Sequence, residues 1–194
     1  MPTVNAENNF VSRAEGKLEG AVRAFHYDFR NKTVLDIGSS TGGFTELALK
    51  LGAKKVVAVE KGTRQMKAPL RFDPRIELHE KTDFFYFDSS DTEFDVMLAD
   101  VSFVSLKKIL SHAKKLAGGK TDFLVMLKPQ FEARQDQLFR GVVKNEKIRR
   151  EIVKDFESWL KQSGFLVIGK RDNEVLGKNG NKERFYFLKL AKKQ

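Results

Sequence analysis

The residues best suited to chemistry in this 194-residue chain gather around one segment, V-L-D-I-G-S-S-T-G-G-F-T at positions 34–45. An apolar run ends on Asp36. A turn through Gly38, Ser39, Ser40, Thr41 and Gly42 follows, and Gly43-Phe44 opens a helical stretch. Glycines let a backbone approach a nucleotide-like ligand closely, with the helix N-terminus behind it. The spacing is D-x-G-x-x-x-G-G, not the G-x-G-x-x-G of a dinucleotide site. A carboxylate aimed into this turn would repel a pyrophosphate. It suits a cationic ligand, such as the amino group and sulfonium of S-adenosylmethionine, which Asp36 would serve indirectly, through the turn and water. A methyl-donor site is therefore the first reading and a dinucleotide site the second.

In an open parallel sheet, ligands bind at the carboxyl ends of the strands. Asp36, Glu60, Asp100 and Lys128 all stand at or near such ends, and Glu183 begins the final strand. If that strand runs antiparallel, its start lies on the same edge. Glu60 closes K-V-V-A-V-E and is placed to accept both ribose hydroxyls of an adenosine, the alternative being an exposed strand-end acid. Asp83 follows the third strand; it could accept from an adenine amino group or cap a helix. Lys128 ends the apolar run L-V-M-L-K. Partial burial of an ammonium group requires either a lowered pKa or a carboxylate partner, and Asp100 on the neighbouring strand is the natural one. A purely structural ion pair fits that pattern equally well.

Alternating strands and helices must position these residues. Strands are expected at 33–37, 55–60, 76–80, 94–101, 122–128, 164–169 and 183–190. Helices are expected at 12–25, 44–51, 63–71, 106–116 and 147–162, with Ser12 and Glu15 at capping-box spacing and Pro69 near the end of the third. Residues 130–144 read as a long loop. The alternation predicts an α/β, Rossmann-like fold: a mainly parallel seven-stranded sheet with helices on both faces. No helix separates the last two strands, so they are expected to be antiparallel. Residues 1–10 read as a loose N-terminal segment and 11–194 as one domain.

The formal charge of +10 favours a polyanionic partner, RNA or DNA first and an anionic membrane surface second. Arg134, Arg140 and Lys144 in the long loop are candidates for RNA phosphates, with a solvated loop the alternative. Phe84, Phe85, Tyr86 and Phe87 could stack a base, although core packing or a wall of the adenine pocket fits them better. The absence of cysteine removes disulfides, thiolate zinc sites and cysteine nucleophiles. His26, His79 and His112 have no metal spacing, so no metal is expected. With no apolar h-region and no window of membrane-span length, the expected setting is the cytoplasm.

Four segments in order, D-I-G-S-S-T-G-G-F-T, A-D-V-S-F-V-S-L, L-K-P-Q-F-E-A and G-N-K-E, resemble the FtsJ-like ribose 2′-O-methyltransferases. The likeness is to their haemolysin A-type (TlyA) branch and covers about residues 10–190. It implies S-adenosylmethionine as cofactor and ribosomal RNA as partner, with cytidine 2′-hydroxyls as the acceptor. It also implies a catalytic Lys-Asp-Lys-Glu tetrad, which falls on Lys17, Asp100, Lys128 and Glu183. Lys17, by pattern a helix-surface lysine, is promoted only by this resemblance. Ala14-Glu15 stand where the family has a glycine pair, adding a negative charge and stiffening the backbone beside Lys17. The family's N-terminal S4-type RNA-binding domain has no counterpart here, either cut away or lacking in this form, so RNA recognition is expected to rest on the basic face. The competing readings are an RNA-binding module that keeps the fold without turnover and, disfavoured, a membrane-active lysin.

Overall fold

The computed structural model describes residues 13–89, 92–174 and 176–191; the expectations for residues 1–10 and for Ser12 as a helix cap lie outside them. Seven short strands, β1 (Thr33–Ile37), β2 (Lys55–Val59), β3 (Ile76–His79), β4 (Val96–Ala99), β5 (Asp122–Leu127), β6 (Phe165–Asp172) and β7 (Arg184–Leu190), form one sheet. Their order is β3-β2-β1-β4-β5-β7-β6. The first five are parallel, and β7 runs antiparallel to both its neighbours, β5 and β6. Helices α1 (Arg13–Phe25), α2 (Gly43–Lys50), α3 (Ala68–Arg71), α4 (Leu106–Leu116) and α5 (Glu146–Gln162) complete the fold.

Side chains alternate across a strand, so each strand feeds two cores. Leu35, Ile37, Met97, Phe123, Val125, Tyr186 and Leu188 pack with α4 and α5. Val34, Val96, Leu98, Leu124, Met126 and Phe185 pack with α1 and α2. Every residue of β4 and β5 is buried, the pattern of central strands covered on both faces.

Three elements differ from the sequence expectation. The helix expected at 63–71 is only the single turn α3, and Pro69 lies in its first turn, where a missing N–H costs nothing, rather than near its end. β6 runs on to Asp172 past a register shift between Val167 and Gly169. Its tail is held by Arg149 and Arg184, both of which donate to Asp172. The 130–144 loop contains two short 3₁₀ turns, at Pro129–Phe131 and Gln135–Gln137. Helix α5 starts on an Asn145 cap whose side chain accepts from the Lys147 and Ile148 amides.

Phe156 of α5 is fully buried, its ring 5.3 Å from Tyr186 and 6.0 Å from Trp159. Phe156→Ala should therefore lower the unfolding free energy by about 3–5 kcal/mol, measurable as a shifted urea midpoint with an unchanged slope.

Candidate functional site

A cleft of about 710 Å³ opens at the carboxyl ends of β1, β2 and β4, lined among others by Gly38, Ser39, Glu60, Asp83, Asp100 and Lys128. The glycine turn forms its floor. Gly38 has φ +79°, and a Cβ there would meet Val101 Cγ1 at 3.2 Å; Gly42 has φ +91°, and a Cβ there would meet Leu70 Cδ1 at 2.6 Å. Side chains at either position would be strained and would crowd the turn. Ser40 holds φ +48°, Thr41 is exposed, Gly43 begins α2, and the buried Phe44 ring lies 5.8 Å from Phe185.

Asp36 is an interior β1 residue, almost wholly buried, and its Oδ2 accepts from the Thr45 hydroxyl at 2.6 Å. Burial pushes its carboxyl up to about 7, with Asp100 and Glu60 adding to the rise and the Thr45 bond opposing it. Its Oδ1 and the Ser39 hydroxyl are buried without a hydrogen-bond partner among the described residues. Two orphaned acceptors beside a glycine cradle fit a ligand with a cationic, hydrogen-bonding end. Glu60 stands just past β2, where its carboxylate accepts from the amides of Ser40 (2.9 Å) and Gly62 (2.7 Å) and from Gln65 (3.2 Å). Asp83 caps the 3₁₀ turn Phe84–Tyr86 through the Phe85 amide and pairs with Lys61 at 2.9 Å, which holds its carboxyl below the ordinary range.

The four residues singled out by resemblance meet at the same rim as two ion pairs. Lys128 Nζ lies 2.7 Å from Asp100 Oδ1, and Lys17 Nζ lies 2.5 Å from Glu183 Oε2. Lys17 is therefore not a surface lysine: its side chain is 10% exposed and its partner's 3%. Burial pushes the Asp100 carboxyl up against the pull of Lys128 and Lys17, and Glu183 pushes it further. Glu15 points away from this group; it is buried and pairs with Lys50 of α2 at 2.8 Å. The negative charge that replaces the family's glycine thus sits on the α1–α2 contact.

Three residues that the sequence reading left without a role complete the rim. Ser102 Oγ accepts from Lys128 Nζ at 2.9 Å. Phe103 is 91% exposed at φ +63°, with its ring 5.1 Å from Phe131. Glu132 accepts from the Ser105 hydroxyl (2.7 Å) and the Leu106 amide (2.6 Å), capping α4 from the loop that follows Lys128. All three lie inside the A-D-V-S-F and K-P-Q-F-E stretches, so the motifs located them but composition gave no reason to separate them from their neighbours. In the aromatic run, Phe84 and Phe87 are buried while Tyr86 is exposed. Arg134 pairs with Asp136 at 3.1 Å, whereas Arg140 and Lys144 flank Phe139. Among the described residues no acid–histidine cluster could hold a metal ion, and no helix is long and apolar enough to cross a membrane.

The strand order, the reversed β7 and the glycine turn after β1 define a Rossmann-like methyltransferase fold. Residues 10–190 match the FtsJ-like methyltransferases, and the chain belongs to that family, whose methyl donor is S-adenosylmethionine. It is 37% identical over 180 residues to the rRNA methyltransferase-named YqxC of Bacillus subtilis, a match covering 90% of this chain and 63% of that one. It is 36% identical to the 23S rRNA (cytidine-2′-O)-methyltransferase TlyA of Campylobacter jejuni, covering 92% and 70%. A solved structure of a hemolysin-named protein from Streptococcus thermophilus superposes with a TM-score of 0.91 at 33% identity, covering 96% and 69%. The chain thus spans roughly two thirds of the length of these relatives.

The Asp36 carboxyl gives the fold a pH dependence of known sign. Its folded-state pKa of about 7 lies above the ordinary 3.8, so the folded chain holds a proton that the unfolded chain releases. Stability from this group is complete at low pH, falls as pH rises from about 4 to 7, and is lost above that. Asp36→Asn should flatten the slope and gain on the order of 4 kcal/mol over wild type at pH 8, read by denaturant unfolding across pH.

Proposed function

We propose that this chain transfers a methyl group from S-adenosylmethionine to a ribose 2′-oxygen of ribosomal RNA, at a cytidine, in the cytoplasm where ribosomes are its substrate. The observation that carries this reading is the convergence of Lys17, Asp100, Lys128 and Glu183, drawn from one helix and three strand ends, beside a cleft with orphaned acceptors. The names of the TlyA relatives supply the acceptor class. When bound, the donor supplies an electrophilic methyl group on a sulfonium.

The remaining work falls to the chain's own residues. The 38–43 backbone with Asp36 and Ser39 holds the donor's amino-acid end, Glu60 its ribose hydroxyls and Asp83 its adenine amino group. A ribose hydroxyl is a weak nucleophile at neutral pH, so proton removal and alignment carry the rate. Lys128 serves as the general base for the hydroxyl proton at Nζ, while Asp100 and Ser102 fix that atom in place. Lys17, held by Glu183, adds positive potential that favours the developing oxyanion. The exposed Phe103 ring offers the acceptor's base a stacking surface.

Lys128→Ala should lower kcat by about 10²–10⁴-fold, measured as tritium transfer to ribosomal subunits, with the calorimetric affinity for S-adenosylmethionine retained. The product should resist alkaline cleavage at one linkage, because a methylated 2′-oxygen cannot attack its phosphate. Gly42→Val should abolish donor binding, and wild type should show none with NAD as control. A Lys128→Ala variant that transfers methyl groups at the full rate would overturn the assignment.

A further inference from the structure

The loop after Lys128 carries a feature that methyl transfer itself does not use. Phe139 and Val142 exchange two backbone hydrogen bonds, of 2.9 and 3.0 Å, around Arg140 and Gly141. Both central residues are left-handed, with φ +50° and +77°. This is a type I′ hairpin, where asparagine or aspartate before glycine is the unstrained choice. Here an arginine occupies the strained position at the tip. Phe139 is 54% exposed, with Lys144 Nζ 4.2 Å and the Arg140 guanidinium 5.5 Å from its ring centroid. Among the described residues neither cation forms an ion pair, in contrast to Arg134 beside them.

The hairpin is anchored to the reaction centre. The buried Asn181 side chain accepts from the Val143 amide (3.3 Å) and donates to the Gly141 carbonyl (3.2 Å). Asn181 stands two residues before Glu183, and the hairpin begins eleven residues after Lys128. The tip is thus tied to Lys128 along the chain and, through the Asn181 side chain, to the segment that precedes Glu183.

We infer that Phe139, Arg140 and Lys144 form a second nucleotide subsite, in which the Phe139 ring stacks a base of the acceptor strand next to the reactive nucleotide and the two cations bind its flanking phosphates. One aromatic face between two unpaired cations matches single-stranded nucleic acid, which offers a base and a phosphate at each step. It is too small an apolar surface for a membrane anchor. The subsite rests on the RNA reading given above.

The test uses the full chain and a fluorescein-labelled single-stranded RNA of about 12 nucleotides and mixed sequence, followed by anisotropy. Phe139→Ala should weaken binding about 5- to 100-fold at fixed salt. Phe139→Leu, which keeps bulk without a π face, should behave alike, and Phe139→Trp should bind as wild type. The Arg140→Ala/Lys144→Ala double variant should reduce the slope of log K against log salt by about 1.4. Unchanged calorimetric affinity for S-adenosylmethionine in every variant shows that the fold is intact. Wild-type RNA affinity in both Phe139→Ala and Phe139→Leu would overturn the subsite alone. A wild type that binds the donor but not the RNA would overturn the RNA reading and the subsite with it.

Discussion

Everything at the rim depends on the register of one reversed strand. In the antiparallel β5–β7 ladder Leu127 faces Arg184, so the next position along β5 and the one before β7 bring Lys128 beside Glu183. A parallel β7 would carry Glu183 to the opposite edge of the sheet. A one-residue slip would turn its side chains onto the other face, breaking both cores at once. The parallel β1–β4 ladder, with Ile37 opposite Ala99, sets Gly38 beside Asp100 in the same way. Two ladders thus place the glycine turn, the aspartate, the lysine and the glutamate without any of these groups being responsible for the fold.

The charges at the rim are poor candidates for stabilising elements. Lys17, Glu183, Lys128 and Asp100 are all mostly buried, and the desolvation of such pairs offsets much of their mutual attraction. Removing one partner leaves the other buried and uncompensated, which is where the large penalty lies. Two cations and two anions sum to zero, so the group tolerates burial while keeping two ammonium groups within reach of the cleft. Asp36 is the exception: among the described residues it has no cationic partner, and its carboxyl answers burial by holding its proton near neutrality. A cationic ligand would relieve that cost by favouring the ionised form.

Period and punctuation carried most of the fold. The apolar runs of β1, β2, β4 and β5 and the helical spacing of α4 and α5 are strong local signals, and their observed limits fall within a few residues of the expected ones. The exceptions are sites where long-range contacts override local preference. Residues 63–67 alternate like a helix start, yet the chain there wraps the Glu60 carboxylate through Gly62 and Gln65. β6 outlasts its apolar run because two arginines far along the chain hold Asp172. Lys17 was illegible for the same reason: its partner is 166 residues away, and a helical lysine carries no mark of that. Phe103 and Phe139 were illegible because exposure of an aromatic ring is decided by which side of a turn it leaves, not by its neighbours in sequence.

The K-P-Q-F-E stretch shows how few residues couple the two loops of the site. Pro129 lacks an amide donor and so stops the β5 ladder from continuing past Lys128, the residue that follows the strand. Phe131 then sets its ring 5.9 Å from Lys128 Nζ and 5.1 Å from Phe103. Glu132 reaches across to satisfy two donors at the start of α4, which would otherwise be left open. Burial raises its carboxyl, so that contact is made in a partly dry environment where a lost hydrogen bond costs more than at the surface. The Glu132 cap holds the end of the 101–105 loop at Ser105, the Asp100–Lys128 pair holds its beginning, and Ser102 between them accepts from Lys128. In the reading proposed above, the ring that stacks the base, the lysine that takes the proton and the aspartate that orients it thus stand on two linked loops, an arrangement that favours the alignment of two separate substrates.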